Sequence, residues 1–167
     1  LIEKSAELID MRNHEGNHPR IGAVDVCPFV PISPNTENDC IKASEIVVGH
    51  FSNKIPIFLY GSIASDASRE SLSALRKGQY ESLENRFEGG DWEFESTRMP
   101  DYWSGTWGEV EFRFGAMAIG VRPVLVAYNV NVNEKIPSAS KAAGSIIRTS
   151  GRLLKNNHST KIRINGM

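Results

Sequence analysis

Cysteine is scarce in this chain: Cys27 and Cys40 are the only two in 167 residues. Their number and spacing make neither a disulfide framework nor a zinc motif. A reduced, cytoplasmic setting is the default for such a chain. Long apolar runs are absent too. None approaches the roughly 20 residues that a helix needs to cross a bilayer, so an integral membrane protein is not expected. Charge of one sign is not in excess: 19 Lys and Arg stand against 20 Asp and Glu, a net charge of -1. That balance does not mark a nucleic-acid binder. No G-x-G-x-x-G follows the first strand and no P-loop is present, so neither a dinucleotide nor a nucleoside triphosphate is signalled. What remains is a globular balance, 40% apolar and 23% charged, at about one domain's length. The chain opens at Leu1 inside an apolar-periodic stretch, without Met, which reads as a processed chain or a piece of a longer one.

The periodicity predicts alternating helices and strands. Ile2, Ala6 and Ile9 sit at helical spacing, and the polar RNHEGNHPR that follows is a loop. IGAVDVCPFVPI reads as a strand, with Val24, Val26 and Phe29 on one side and Asp25 and Cys27 on the other. Thr36 and Asp39 form a capping box for a helix running to about Phe51. Ile55–Tyr60 is a buried strand, and SDASRESLSALRKG is a helix stopped at Gly78. Tyr80, Leu83 and Phe87 predict a second short helix. From Glu88 to about Glu111 no period fits, and this acidic stretch holds all three tryptophans, Trp92, Trp103 and Trp107. VRPVLVAYNVNV alternates as a strand, residues 137–154 form an amphipathic helix, and KIRIN begins another strand. The expected architecture is an α/β (α+β) sandwich, a mixed β-sheet covered by helices.

Chemistry concentrates in His14-Glu-Gly-Asn-His18-Pro-Arg20-Ile-Gly22-Ala-Val-Asp25. The two histidines lie on a Gly-containing loop with no third ligand nearby, so no metal is expected. An imidazole can take and return a proton near neutrality. Pro19 biases His18 toward an extended backbone. Arg20 adds a cation suited to a carboxylate. A histidine beside an arginine before a strand suits acid/base work on an anionic substrate. The plainer alternative is that His18 satisfies loop carbonyls and Arg20 faces solvent. Cys27 reads as a small hydrophobe. Asp25 either orients an imidazole, binds an amidinium or caps a loop. Asn129 and Asn131 either line a cleft or are solvated. His50 and His158 read as surface residues.

LIDMRNHEGNHPRIGAVDVCPFVPI resembles the N-terminal region of glutamate formimidoyltransferase, as found in formimidoyltransferase-cyclodeaminase. FLYG (Phe58–Gly61), SRESLSALRKGQYE (Ser68–Glu81), Asp91-Trp92, AIGVR (Ala118–Arg122) and AYNVNV (Ala127–Val132) match the same family in order. The resemblance implies the fold of the formiminotransferase N-terminal subdomain over residues 1–155, lacking its first strands. Residues 156–167 become a linker and the start of a C-terminal subdomain absent here.

The implied activity is transfer of a formimidoyl group from N-formimidoyl-L-glutamate to N5 of tetrahydrofolate, in histidine degradation. Tetrahydrofolate is a co-substrate and no metal is called for. The implied catalytic residue is His18, with His14 behind it. Arg20 is the candidate for a substrate or folate carboxylate, and Asp25 joins it in the binding site. The family's folate-contacting stretch contains a P-S-W-G element. Its counterpart here is either Thr106-Trp107-Gly108 or a position ending in Gly115, which makes Trp107, Gly108 and Gly115 folate-binding candidates. The implied partners are a homo-oligomer and the missing subdomain, with neither nucleic acid nor membrane. The alternative is a catalytically inactive, folate-binding relative.

Overall fold

The computed structural model describes residues 1–103 and 105–126. The chain divides into two compact units, Leu1–Arg122 and Pro123–Met167. All named elements belong to the first: α1 (Ile2–Leu8), β1 (Val26–Phe29), α2 (Glu37–Phe51), β2 (Ile57–Gly61), α3 (Leu72–Leu75), α4 (Leu83–Phe87), α5 (Glu109–Phe114) and β3 (Met117–Val121), with short 3-10 turns between them. In the second unit, residues 123–126 carry no helix or strand. The predicted helix over 137–154 and the strand at KIRIN lie outside the described residues.

The three strands form one sheet in the order β1-β3-β2, and both pairings are parallel. Val26 and Phe58 both lie beside Ala118 of the central strand. Every residue of β3 is buried. A central parallel strand is covered on both faces and so shows no alternation of apolar and polar residues. The alternating VRPVLVAYNVNV starts at the last residue of β3; its residues 122–126 carry no strand and Val124, Leu125 and Val126 are exposed, while its residues 127–132 lie outside the described residues.

Each face of the sheet has its own core. Phe58, Tyr60 and Ala118 pack with Ile21, Leu75, Leu83, Phe87 and Trp107. Ile57, Met117 and Ile119 pack on the other face with Val48 of α2, Ile55 and Phe114. Burying each large apolar side chain contributes about 1.5–3 kcal/mol. α2 begins as predicted: Thr36 Oγ1 accepts from the Asp39 amide, and the Asp39 carboxylate accepts from the Thr36 amide.

Two local expectations are corrected. Asp25 has φ 53, in the left-handed region, so the chain reverses its facing just before β1. Val24 packs on the α2 side with Cys27 and Phe29, while Val26 packs on the other, so the expected grouping fails at that kink. SDASRESLSALRKG is not one helix but a 3-10 turn at Ala67–Arg69 followed by α3. Asp66 satisfies local backbone instead, its Oδ1 accepting from the Ser68 amide at 2.8 Å. The expected glycine stop is present: Gly78 has φ 74.

The segment from β2 to β3 is tied together by buried arginines. Arg69 donates to the carboxylate of Asp101 and to the carbonyl of Met99. Arg86 is fully buried between the faces of Phe58 and Trp92, each 4.6 Å from its guanidinium carbon. It donates to the carbonyls of Arg98 and Leu75. Burial, and then the charges of Arg69 and Arg98, push its pKa down to about 9, so it remains charged at neutrality.

β1 reaches the sheet through a backbone crossing. Gly22 and Gly115 form an antiparallel bridge. The Ala116 amide donates to Ile21 O at 2.8 Å, and the Ala23 amide donates to Phe114 O at 2.8 Å. A Cβ on Gly22 would stand 2.1 Å from Ala116 O, and one on Gly115, where φ is 76, would stand 2.2 Å from Ile21 O. Gly22→Ala is therefore expected to cost about 2–3 kcal/mol, the upper range of overpacking penalties. Urea unfolding of the two proteins measures this, and an unchanged midpoint would show that the crossing tolerates a side chain.

Candidate functional site

The histidine loop starts at a 3-10 turn, Met11–Asn13, whose Arg12 amide is capped by Asp10. Met11 is buried and anchors it. Arg12 bridges Asp10 and Glu109, donating to both carboxylate oxygens of Glu109 at 3.1 and 3.0 Å. The Arg12 guanidinium holds Asp10 down at about 2. The loop is thereby tied to α5 before His14 is reached.

Arg20 closes the loop. It is buried, and each of its five N–H groups has a protein acceptor. Nε donates to His14 Nδ1 at 3.3 Å, and Nη2 donates to the His14 carbonyl at 2.8 Å. Nη1 donates to Gln79 Oε1 at 3.2 Å. The Glu81 carboxylate takes a two-pronged contact, 2.9 Å from Nη1 and 2.7 Å from Nη2. Such paired contacts are among the strong charge-assisted hydrogen bonds. Gly78 and Gln79 bring the acceptors there: their φ angles of 74 and 56 turn the chain sharply, and the Tyr80 amide then donates to Arg20 O at 2.8 Å. In this arrangement every Arg20 donor already has an acceptor within the protein. Its work is to clasp the loop.

Asp25 is occupied as well. Its Oδ1 accepts from the Ile21 amide at 2.8 Å, and its carboxylate pairs with Arg76 through both oxygens. Of the roles open to it, loop capping is the one the structure shows. Its partners are a backbone amide and Arg76, not an imidazole. Cys27 is half-buried, and burial raises its thiol pKa, which disfavours a nucleophilic thiolate.

His14 and His18 are both exposed. They differ in their partners. His14 Nδ1 is taken by Arg20. His18, four residues on, makes no hydrogen bond or ion pair among the described residues. His50, at the end of α2, is exposed and meets Glu3 and Lys54.

The aromatic candidates stand elsewhere. Trp107 is buried against Phe87 and Phe112, with ring centroids 5.5 and 5.6 Å away. With Phe87, Glu88, Met99, Trp103 and Thr106 it lines an open cavity of about 680 Å³, to which the histidine loop contributes no residue. Trp103 Nε1 donates to Glu111 at 3.2 Å. Gly108 caps α5, its amide donating to the other Glu111 oxygen at 3.1 Å. Gly115 does not line the cavity; it is spent in the backbone crossing.

Glu81, Gln79, Arg76 and Glu111 complete the site and are not legible from local spacing. Their side chains look like ordinary polar surface groups until the fold brings them to Arg20, Asp25 and Trp103. Among the described residues, no group of three or more His, Cys, Asp or Glu is placed to hold a metal, and no helix is long and apolar enough to cross a membrane.

The clasped histidine loop at the head of β1 and the open aromatic cavity are the two candidate features of this domain. Residues 1–122 match the family model described as formiminotransferase domain, N-terminal subdomain, and the chain belongs to that family. A glutamate formimidoyltransferase of Streptococcus pyogenes serotype M1 is 40% identical over 154 residues, covering 90% of this chain and 48% of that protein. One of Thermoplasma acidophilum is 35% identical, with 88% and 46% covered. The formimidoyltransferase-cyclodeaminase of Gallus gallus is 38% identical over 130 residues, 75% of this chain and 22% of that protein. The chain thus spans less than half the length of these relatives.

The clasp carries a pH dependence. Hydrogen bonding to Arg20 lowers the Glu81 pKa below its ordinary 4.5. A depressed carboxyl contributes stability that is complete above its unfolded pKa and fades as pH falls through its folded one. Protease cleavage within residues 14–20 is expected to quicken as pH drops below about 4.5. Glu81→Gln should abolish that acid step and cleave faster already at pH 7. A step that survives the substitution would assign the opening to another group.

Proposed function

We propose that this domain serves the transfer of a formimidoyl group from N-formimidoyl-L-glutamate to N5 of tetrahydrofolate, with His18 as the proton carrier. The observation that carries the reading is the state of His18: an exposed imidazole without hydrogen-bond or ion-pair partners among the described residues, on a loop that Arg20 clasps at its ends. Membership of the family supports the substrate class.

The chemistry needs little more. N5 attacks the amidine carbon and a C–N bond forms, giving a tetrahedral intermediate. The proton lost from N5 passes to the His18 imidazole. The bond from that carbon to the glutamate nitrogen breaks as the imidazole returns the proton to it. Glutamate leaves, the formimidoyl group stays on folate, and no covalent enzyme intermediate forms. One imidazole acts as base and then acid.

The same reading uses the aromatic cavity for the folate ring system, with Trp107 and Trp103 as its flat walls. Gly108, by capping α5, holds that wall in place. The reading further includes a second transferase subdomain, a homo-oligomer and a cytoplasmic setting. That the cavity and the histidine loop share no lining residue favours one rival, a relative that binds folate without turnover.

The assay is transfer to tetrahydrofolate by the full-length protein. His18→Ala is expected to lower kcat by about 100- to 10,000-fold, the usual contribution of a general acid–base group. Unchanged turnover in that variant refutes the assignment; a wild-type protein that binds folate tightly and transfers nothing establishes the rival. Trp107→Ala should weaken folate binding by about 10-fold, on the scale of a lost ring–ring contact of about 1.4 kcal/mol. Equilibrium titration with tetrahydrofolate reads it, and unaltered affinity removes the cavity from the folate site.

A further inference from the structure

Arg20 cannot accept a hydrogen bond, so the contact from its Nε–H at 3.3 Å requires His14 Nδ1 to be bare. A neutral imidazole with bare Nδ1 carries its proton on Nε2. The ring is also confined. A Cβ at Gly16 would lie 3.2 Å from His14 Cε1, so the absence of a side chain there gives the imidazole its room. The backbone carbonyl of the same residue is held by Arg20 at 2.8 Å, which fixes the ring from its other end. Arg20 is in turn locked by both oxygens of Glu81. His14 is exposed, and its Nε2 makes no hydrogen bond among the described residues.

We infer that His14 presents a fixed Nε2–H to a carboxylate of the glutamate moiety of the substrate, and that Arg20 and Glu81 are positioning residues that hold it in that tautomer. This rests on the proposed function for the identity of the substrate. It supplies what the occupied Arg20 cannot: a donor for an anionic group, with the arginine's charge acting through the imidazole. A ring whose Nδ1 is blocked by a cation's N–H cannot take a proton there while the clasp is closed. His14 is therefore a binding group, and proton transfer falls to His18 alone.

Substitutions separate the two ring nitrogens. The amide N–H of Gln reaches the position of Nε2, whereas Asn reproduces only the acceptor at Nδ1. In the full-length protein, His14→Ala is expected to raise KM for N-formimidoyl-glutamate by about 10- to 100-fold, the loss of a hydrogen bond to a charged group. The kcat should change by less than about threefold. His14→Gln should restore most of the KM and His14→Asn should not. Nitrogen NMR should show the Nε2–H tautomer in the wild type and lose that single signature in Glu81→Ala. Calorimetric titration with N-formimidoyl-glutamate gives the affinity without turnover. A wild type that turns nothing over but keeps the tautomer and the Gln-rescued affinity overturns the proposed reaction and not the assignment of His14. An Nδ1–H tautomer, a loss confined to kcat, or rescue by Asn in place of Gln overturns that assignment.

Discussion

At Gly22 and Gly115 two backbone segments approach more closely than any side chain permits. That approach sets everything that follows along both segments. On one side the chain runs from the histidine loop into β1; on the other, from α5 into β3. The hydrogen bonds of Ile21 and Ala23 to Ala116 and Phe114 align the two before the strands pair. The parallel register Val26↔Ala118 follows a few residues later. Asp25, in the left-handed region, absorbs the turn between the crossing and the strand, and its carboxylate holds the Ile21 amide. A glycine pair is therefore what lets a loop of histidines be welded to the end of a buried sheet.

Away from the sheet, order comes from arginines. The chain between β2 and β3 has only short helical pieces, and few of its backbone groups can pair within an element. Arg69, Arg86 and Arg20 each reach several acceptors at once, which a lysine could not do with the same fixed geometry. Arg86 serves two carbonyls and fills the space between two aromatic faces. Arg69 joins Met99 and Asp101, and Asp101 accepts the Leu59 amide at 2.7 Å, tying the segment to β2. Arg20 does the same for the histidine loop. A planar fork with five donors substitutes for the ladders that regular structure would provide.

How far this was legible in the sequence follows from how local each interaction is. The capping box at Thr36, the stop at Gly78 and the strand at Ile57–Gly61 depend on neighbouring residues, and the pattern shows them. β3 depends on burial from both faces, so its lack of alternation hid it; only the resemblance of Ala118–Arg122 to a known block pointed there. The histidine loop was readable as the chemical centre because His, Pro and Arg are concentrated in it. The occupation of Arg20 was not, since Glu81 lies 61 residues away and reaches it only through the turn at Gly78 and Gln79. Gly115, a candidate for folate by resemblance, has a backbone role that needs Gly22 in view.

The cavity and the histidine loop share no lining residue, yet both lean on α5. Six residues long, this helix has nearly every position engaged. Glu109 receives Arg12 from the base of the histidine loop, and Arg113 donates to the carbonyl of Glu7 at 3.1 Å. Glu111 receives Trp103, and the ring of Phe112 meets Trp107, so the cavity wall rests on the opposite contacts. The carbonyl of Phe112 accepts the Tyr80 hydroxyl at 2.7 Å, and Tyr80 is the residue whose amide holds Arg20. Phe114 is buried in the core beneath. A helix this short has little stability of its own; its position is set by what it touches on either side. A displacement of the aromatic wall would therefore be felt at Arg12 and Arg20, and a loosened clasp would be felt at the wall. The physical link between the histidine loop and the aromatic cavity is a single turn and a half of helix whose anchors belong to both.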